Sequence, residues 1–214
     1  MVQGLTRTAA LAPLTGVVFA ILAVVALFIS GDRPDADASA EAAVQFWTDN
    51  ATANNVGALL EALAAVALLF FGASLWRALR RGEGNGGLLP LAAMGGGVVA
   101  AAGFGVDAAI RIAAADVAGE VDPVVTQTIS AVWVNYGTPI VIGIATLIFA
   151  ASLSALRTQV IPLWLAWIGI VISVALFTPI GFFASLAAFL WVVVVSAALW
   201  RHEAAGGAAP VDQV

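Results

Sequence analysis

The sequence predicts an all-α, polytopic membrane bundle of six transmembrane helices with both termini in the cytoplasm. Its composition is the first reason: of 214 residues, 62% are hydrophobic and only 10% are charged, whereas a soluble domain carries about 25% charged residues. The mean hydropathy of +1.04 agrees with this. The second reason is that the apolar residues fall into six runs of about 20 residues, the length a helix needs to cross the hydrocarbon core. A lipid bilayer is therefore the expected partner.

The six predicted spans follow one another with short connections. They cover residues 9–29, 56–76, 88–110, 127–153, 161–178 and 182–200. The first run follows Arg7 and also resembles a signal peptide, but it is longer than the apolar core of such a peptide, so we expect it to be retained. Residues 1–203 form the predicted transmembrane domain, and residues 204–214 the predicted disordered tail.

The arginines are distributed unevenly between the connections. If the chain crosses six times, most of them lie on one side: Arg7, Arg77, Arg80, Arg81, Arg157 and Arg201. Only Arg33 and Arg111 lie on the other side. Because basic residues accumulate in cytoplasmic connections, this pattern predicts cytoplasmic termini and a multi-pass protein of the plasma (inner) membrane.

The connection formed by residues 31–54 is the most polar part of the chain. Asp37 or Ser39 could cap a short amphipathic helix that ends near Trp47 and covers the membrane surface as a lid. A solvated loop is the alternative, and the sequence alone leaves both open.

Several chemistries lack the residues that they need. The chain has no cysteine and no lysine, which excludes disulfides, thiolate catalysis and Schiff bases. Its one histidine, His202, lies at the end of the sixth span, so no metal site is predicted. No basic patch with interleaved aromatic residues occurs, and nucleic acid is not an expected partner. An enzyme is therefore disfavoured, and no cofactor can be named.

The third span carries a stripe of small residues that continues into two charges. Gly96, Ala100, Gly103, Asp107 and Arg111 are spaced by three and four residues and share one helix face. Small residues allow close helix approach in lipid, so this stripe is a predicted interface to a second copy or to a partner membrane subunit. Asp107 and Arg111 lie one turn apart in the order that favours an ion pair.

Glu61 is the acid placed clearly inside a hydrophobic span. A charge at the bilayer centre costs about 2.5–3.5 kcal/mol, so we expect this side chain to point into the bundle. The residues on its helix face are mostly small: Gly57, Ala64, Ala65, Leu68 and Gly72. Glu61 is either part of a functional site or a structural partner of Arg111.

The fourth span adds polar side chains next to a proline. Pro139 predicts a kink, and Asn135 and Tyr136 precede it. The candidate ligand-binding residues are thus Glu61, Asp107, Arg111, Asn135 and Tyr136. They predict binding or translocation of a small ligand, ion or proton through an outward-facing polar pocket. The alternative is a non-catalytic scaffold or accessory subunit of a membrane complex.

The entry to the fifth span has a recognisable pattern of aromatic residues. Residues 161–169, Ile-Pro-Leu-Trp-Leu-Ala-Trp-Ile-Gly, and the end of the sixth span at Leu199-Trp200-Arg201 resemble a family of uncharacterised bacterial six-helix integral membrane proteins of unknown function. The resemblance covers the C-terminal part alone. It implies an integral membrane protein and transfers no functional residues.

Overall fold

The structure is a computed structural model that describes residues 11–29, 31–84 and 87–206, without the side chains of 203–206. These residues form helices and turns and contain no strand. The helices are α1 (Thr15–Phe28), α2 (Ala40–Asp49), α3 (Ala51–Glu83), α4 (Leu88–Val117), α5 (Pro123–Asn135), α6 (Thr138–Thr158), α7 (Leu163–Ala175) and α8 (Gly181–Gly206). A short 3₁₀ turn, Ala12–Leu14, precedes α1. The predicted tail from residue 207 onward lies outside the described residues.

Four segments of the described chain are long and apolar enough to cross a membrane. They are Ala51–Glu83, Leu88–Val117, Pro123–Thr158 and Gly181–His202. The segments Ala12–Phe28 and Leu163–Ala175 are apolar but shorter. The all-α fold is therefore confirmed, and the four long apolar helices are consistent with a multi-pass membrane protein. That the chain crosses the membrane six times and that both termini are cytoplasmic remain predictions.

The fourth predicted span is broken into two helices. A turn at Tyr136 and Gly137 separates α5 from α6, two residues before Pro139, which stands in the first turn of α6. Proline suits that position, because the first residues of a helix have no intrahelical partner for their N–H groups. The helix predicted to be kinked at Pro139 is thus interrupted by a two-residue turn just before it.

The polar connection contains a helix and not only a loop. The Ser39 hydroxyl accepts a hydrogen bond from the backbone N–H of Ala42 at 3.2 Å and caps α2. Hydrogen bonds from its own backbone and from the Ser39 hydroxyl lower the pKa of Glu41 in the first turn. The buried face of α2 carries Phe46 and Trp47, which pack with Ala114 of α4 and Trp133 of α5. This apolar group is called the aromatic cluster below.

Helix α4 lies at the centre of the bundle, packed against α3 and α6. Its stripe of small residues is buried against α6. A Cβ on Gly96 would stand 2.5 Å from the backbone nitrogen of Leu147, and one on Gly103 would stand 2.8 Å from Ile140. The sequence predicted close packing of this face, but it assigned the face to a second chain. In the described chain the Gly96/Ala100/Gly103 face packs against α6.

Candidate functional site

A buried ion pair joins α3 to α4. Nη1 of Arg111 lies 2.9 Å from Oε1 of Glu61, and the side chains are 0% and 7% exposed. Glu61 therefore points into the bundle, as the small residues on its helix face predicted. A buried pair is retained only when its charges are well matched, because each ion has lost its hydration.

The Arg111 guanidinium makes further contacts with α1 and α3. Its Nη1 donates to the carbonyl of Ala26 at 3.4 Å, and its Nη2 donates to Oδ1 of Asn54 at 3.3 Å. It passes directly over Gly57, where a Cβ would overlap Nη2. The absence of a side chain at Gly57 is what lets a residue of α4 reach across to Glu61, one turn further along α3.

Asp107 is placed beside this pair. Its Oδ2 accepts a hydrogen bond from Nε1 of Trp133 at 3.4 Å, and its carboxyl group lies close enough to Glu61 for the two to interact directly. The sequence favoured an ion pair between Asp107 and Arg111, one turn apart. The sequence also offered Glu61 as a partner of Arg111, and the structure shows that ion pair, because the guanidinium extends across to α3.

One oxygen of Glu61 is buried without a hydrogen-bond donor. Oε2 has no partner among the described residues, while its neighbour is a second carboxyl group. Two ionised carboxylates are both acceptors and repel each other. A proton held between them would turn this contact into a hydrogen bond.

Arg33 is a member of the site that the sequence analysis did not include. Its guanidinium lies 4.6 Å from the centre of the Trp133 ring, and Arg111 approaches the same ring at 5.8 Å. Partial loss of water lowers the pKa of Arg33, and the charge of Asp107 opposes this shift. The one available signal was that Arg33 and Arg111 are the two arginines on the predicted outer side.

The other two predicted site residues behave differently from each other. Tyr136, in the turn after α5, is close enough to Asp107 to feel its charge. Asn135 is exposed, and its amide donates to the carbonyl of Ala131 in its own helix at 2.8 Å. The structure therefore brings together Glu61, Asp107 and Arg111, places Tyr136 at their edge, and does not bring Asn135 to them.

A cavity of about 580 Å³ lies at the end of α3 that is far from Glu61. It is lined by Gly82, Glu83, Gly87, Leu88, Leu89, Arg157 and Thr158. Because 21 helical residues separate Glu61 from Gly82, the cavity is about 30 Å from the carboxyl pair and does not serve it.

The described residues contain no group of three His, Cys, Asp or Glu side chains that could hold a metal ion. No family model, no curated protein and no solved structure matches the chain. The resemblance of residues 161–169 to the six-helix family therefore stays an expectation, and a function can be inferred only from Glu61, Asp107, Arg111 and the residues around them.

Proposed function

We propose that this chain is an integral membrane protein that binds or translocates a small ion, in the best-supported form a proton, at the Glu61–Asp107 carboxyl pair. Two observations carry the proposal: Oε2 of Glu61 is buried without a donor among the described residues, and the carboxyl group of Asp107 lies close enough to interact with that of Glu61. An ionisable group inside a span is expensive and usually functional.

A proton suits the pair better than a metal cation or an organic cation. Arg111 is within hydrogen-bonding distance of Glu61, and Arg33 carries a second positive charge beside Asp107. With both acids ionised the four charges balance, so any added monovalent cation, a proton included, leaves one net positive charge. A larger cation would in addition need space and ligands beside two guanidinium groups. A shared proton needs no such space and relieves the repulsion between the acids.

The orientation of the site is part of the proposal. With six crossings and cytoplasmic termini in the plasma membrane, the pair would lie in the outer half of the bundle, with α2 as a cover on the outer surface. The distribution of arginines supports this orientation, and the packing of α2 onto Trp133 supports its role as a cover.

Glu61→Gln is the variant that tests the proposal. The amide keeps the volume and still accepts from Arg111, but it cannot take up a proton. In proteoliposomes carrying a pH-sensitive dye, we expect the wild-type chain to take up a proton that the variant does not. Glu41→Gln, the same change on the exposed face of α2, is the matched control and should behave as wild type. Equal proton uptake by wild type and Glu61→Gln would overturn the proposal.

A non-catalytic scaffold or accessory subunit is the second candidate. The complete burial of Arg111, held by groups from α1 and α3, favours a structural role for the ion pair. In that case Glu61→Gln should lower the stability of the bundle without any change in proton uptake, because the wild type would show none.

A further inference from the structure

Three polar atoms are buried between α2, α4 and α5 without a partner. They are Oγ1 of Thr126, Oγ of Ser130 and Nε1 of Trp47, and none has a hydrogen-bond partner among the described residues. Thr126 and Trp47 are completely buried, and Ser130 is 4% exposed. Buried hydroxyl and indole groups are almost always hydrogen-bonded, if not to protein then to an internal water.

The three atoms belong to one interface. Thr126, Ser130 and Trp133 are spaced by four and three residues and therefore share a face of α5. The ring of Trp47 packs against that of Trp133, with 4.9 Å between ring centres. Two buried hydroxyls thus lie on the face of α5 that carries Trp133, and a buried indole N–H belongs to the ring packed on Trp133. Such groups are the polar partners that internal waters require.

This interface leads to the carboxyl pair. Trp133 donates to Asp107 at 3.4 Å, and Asp107 lies beside Glu61. From Thr126 to Trp133 the helix rises about 10 Å, which a file of two or three waters can span. Thr126 is the residue nearest the start of α5, where Asp122 is exposed to the surroundings.

We propose that internal water molecules occupy the interface between α2 and α5 and, with the hydroxyls of Thr126 and Ser130, carry protons between the surface and the Glu61–Asp107 pair. Each hydroxyl accepts a proton on its oxygen and passes its own proton onward, so its state is unchanged after transfer. Trp47 donates to a water and orients it. The charged and titratable groups facing Asp107 are Glu61, Arg111, Arg33 and Tyr136. This proposal rests on the proposed function, because the path would deliver protons to the carboxyl pair named there.

The test separates the rate of proton uptake from its extent. Thr126→Val and Ser130→Ala remove the hydroxyls with little change in shape, and the carboxyl pair is untouched. After a rapid pH jump, the double variant should take up protons at least several-fold more slowly than wild type, to the same final extent. Thr128→Val is the matched control, because the Thr128 side chain is exposed and bonds to the carbonyl of Val124 at 2.8 Å. Unchanged rates in the double variant would overturn the proposal.

A second readout keeps the water site testable even if no proton uptake is seen. In a dry interface, removing an unpartnered hydroxyl relieves a buried unsatisfied group, so Thr126→Val would raise the unfolding temperature. In a hydrated interface the same change breaks a water bridge and lowers it. A higher unfolding temperature for Thr126→Val would contradict the water site. Failure of Glu61→Gln to alter proton uptake would contradict the proposed function and with it the proton path, but not the water site.

Discussion

Arg111→Met is expected to destabilise the folded protein by about 3–5 kcal/mol, because it leaves the Glu61 carboxylate buried without its counter-charge. Methionine fills much of the volume of the arginine stem, so loss of packing contributes little. The carbonyl of Ala26 and the amide of Asn54 also lose a donor. Reversible unfolding in mixed micelles, followed by circular dichroism, would measure the change in free energy.

Two further variants show whether the charge is responsible. Combining Arg111→Met with Glu61→Leu removes both ions and should recover most of the lost stability. Arg157→Met, at an exposed arginine of α6, should change it by no more than about 0.5 kcal/mol. If the double variant is as unstable as Arg111→Met alone, the pair does not carry the effect.

Gly57→Ala tests the contact between Arg111 and Glu61 by a change on α3. The new methyl group would overlap Nη2 of Arg111, so the guanidinium must leave Glu61 or α4 must shift. We expect Gly57→Ala to lower the stability of the wild-type chain but not that of the Arg111→Met variant. That result would show that the methyl group acts by displacing the Arg111 guanidinium.

Gly143→Ala is expected to destabilise the bundle by about 1–3 kcal/mol or more. A Cβ at this position would overlap the backbone nitrogen of Ala100 and stand 2.6 Å from its Cα. Because the obstacle is helix backbone and not a flexible side chain, α4 and α6 would have to separate along their length. The same unfolding measurement tests this.

Gly95→Ala is the control for Gly143→Ala. No atom lies within 4 Å of the Cβ position at Gly95, and alanine is a better helix former than glycine by about 1 kcal/mol. This variant should be neutral or slightly stabilising. Equal losses in both variants would indicate a general effect of glycine replacement and contradict the close approach of α4 to α6.

The orientation of Glu61 and a pairing with Arg111 could be predicted from the sequence, whereas the contact of Arg111 with Asn54 could not. Small residues on its helix face and the cost of a charge in lipid both required an inward direction, and the structure confirms it. The i, i+4 rule then favoured Asp107 as the partner of Arg111. That rule describes an isolated helix, and it cannot anticipate that Gly57 opens a path across to α3.

Arg33 and Asn135 show a second limit of the sequence. Arg33 reaches Trp133 from the irregular residues that precede α2, and no periodicity describes such residues. Asn135 was grouped with the site on the expectation of one continuous, kinked helix. Asn135 instead lies on the same face of α5 as Thr128, seven residues earlier, and both side chains are exposed.

The stripe on α4 shows what a pattern of small residues can predict. Gly96, Ala100 and Gly103 do mark a close helix contact, because only small residues allow backbones to approach. The spacing contains no information on whether the neighbouring helix belongs to the same chain. Here it is α6, whose Gly143 provides the complementary gap.

The central claim is that Glu61 meets Arg111 inside the bundle and away from lipid. Solid-state NMR of the protein in bilayers, with labels on the Glu61 carboxyl carbon and the Arg111 guanidinium nitrogens, tests it most directly. Strong dipolar coupling between the two groups is predicted, as an Oε1–Nη1 distance of 2.9 Å requires. Magnetisation transfer from lipid acyl chains to the Glu61 carboxyl, with no coupling to Arg111, would contradict it.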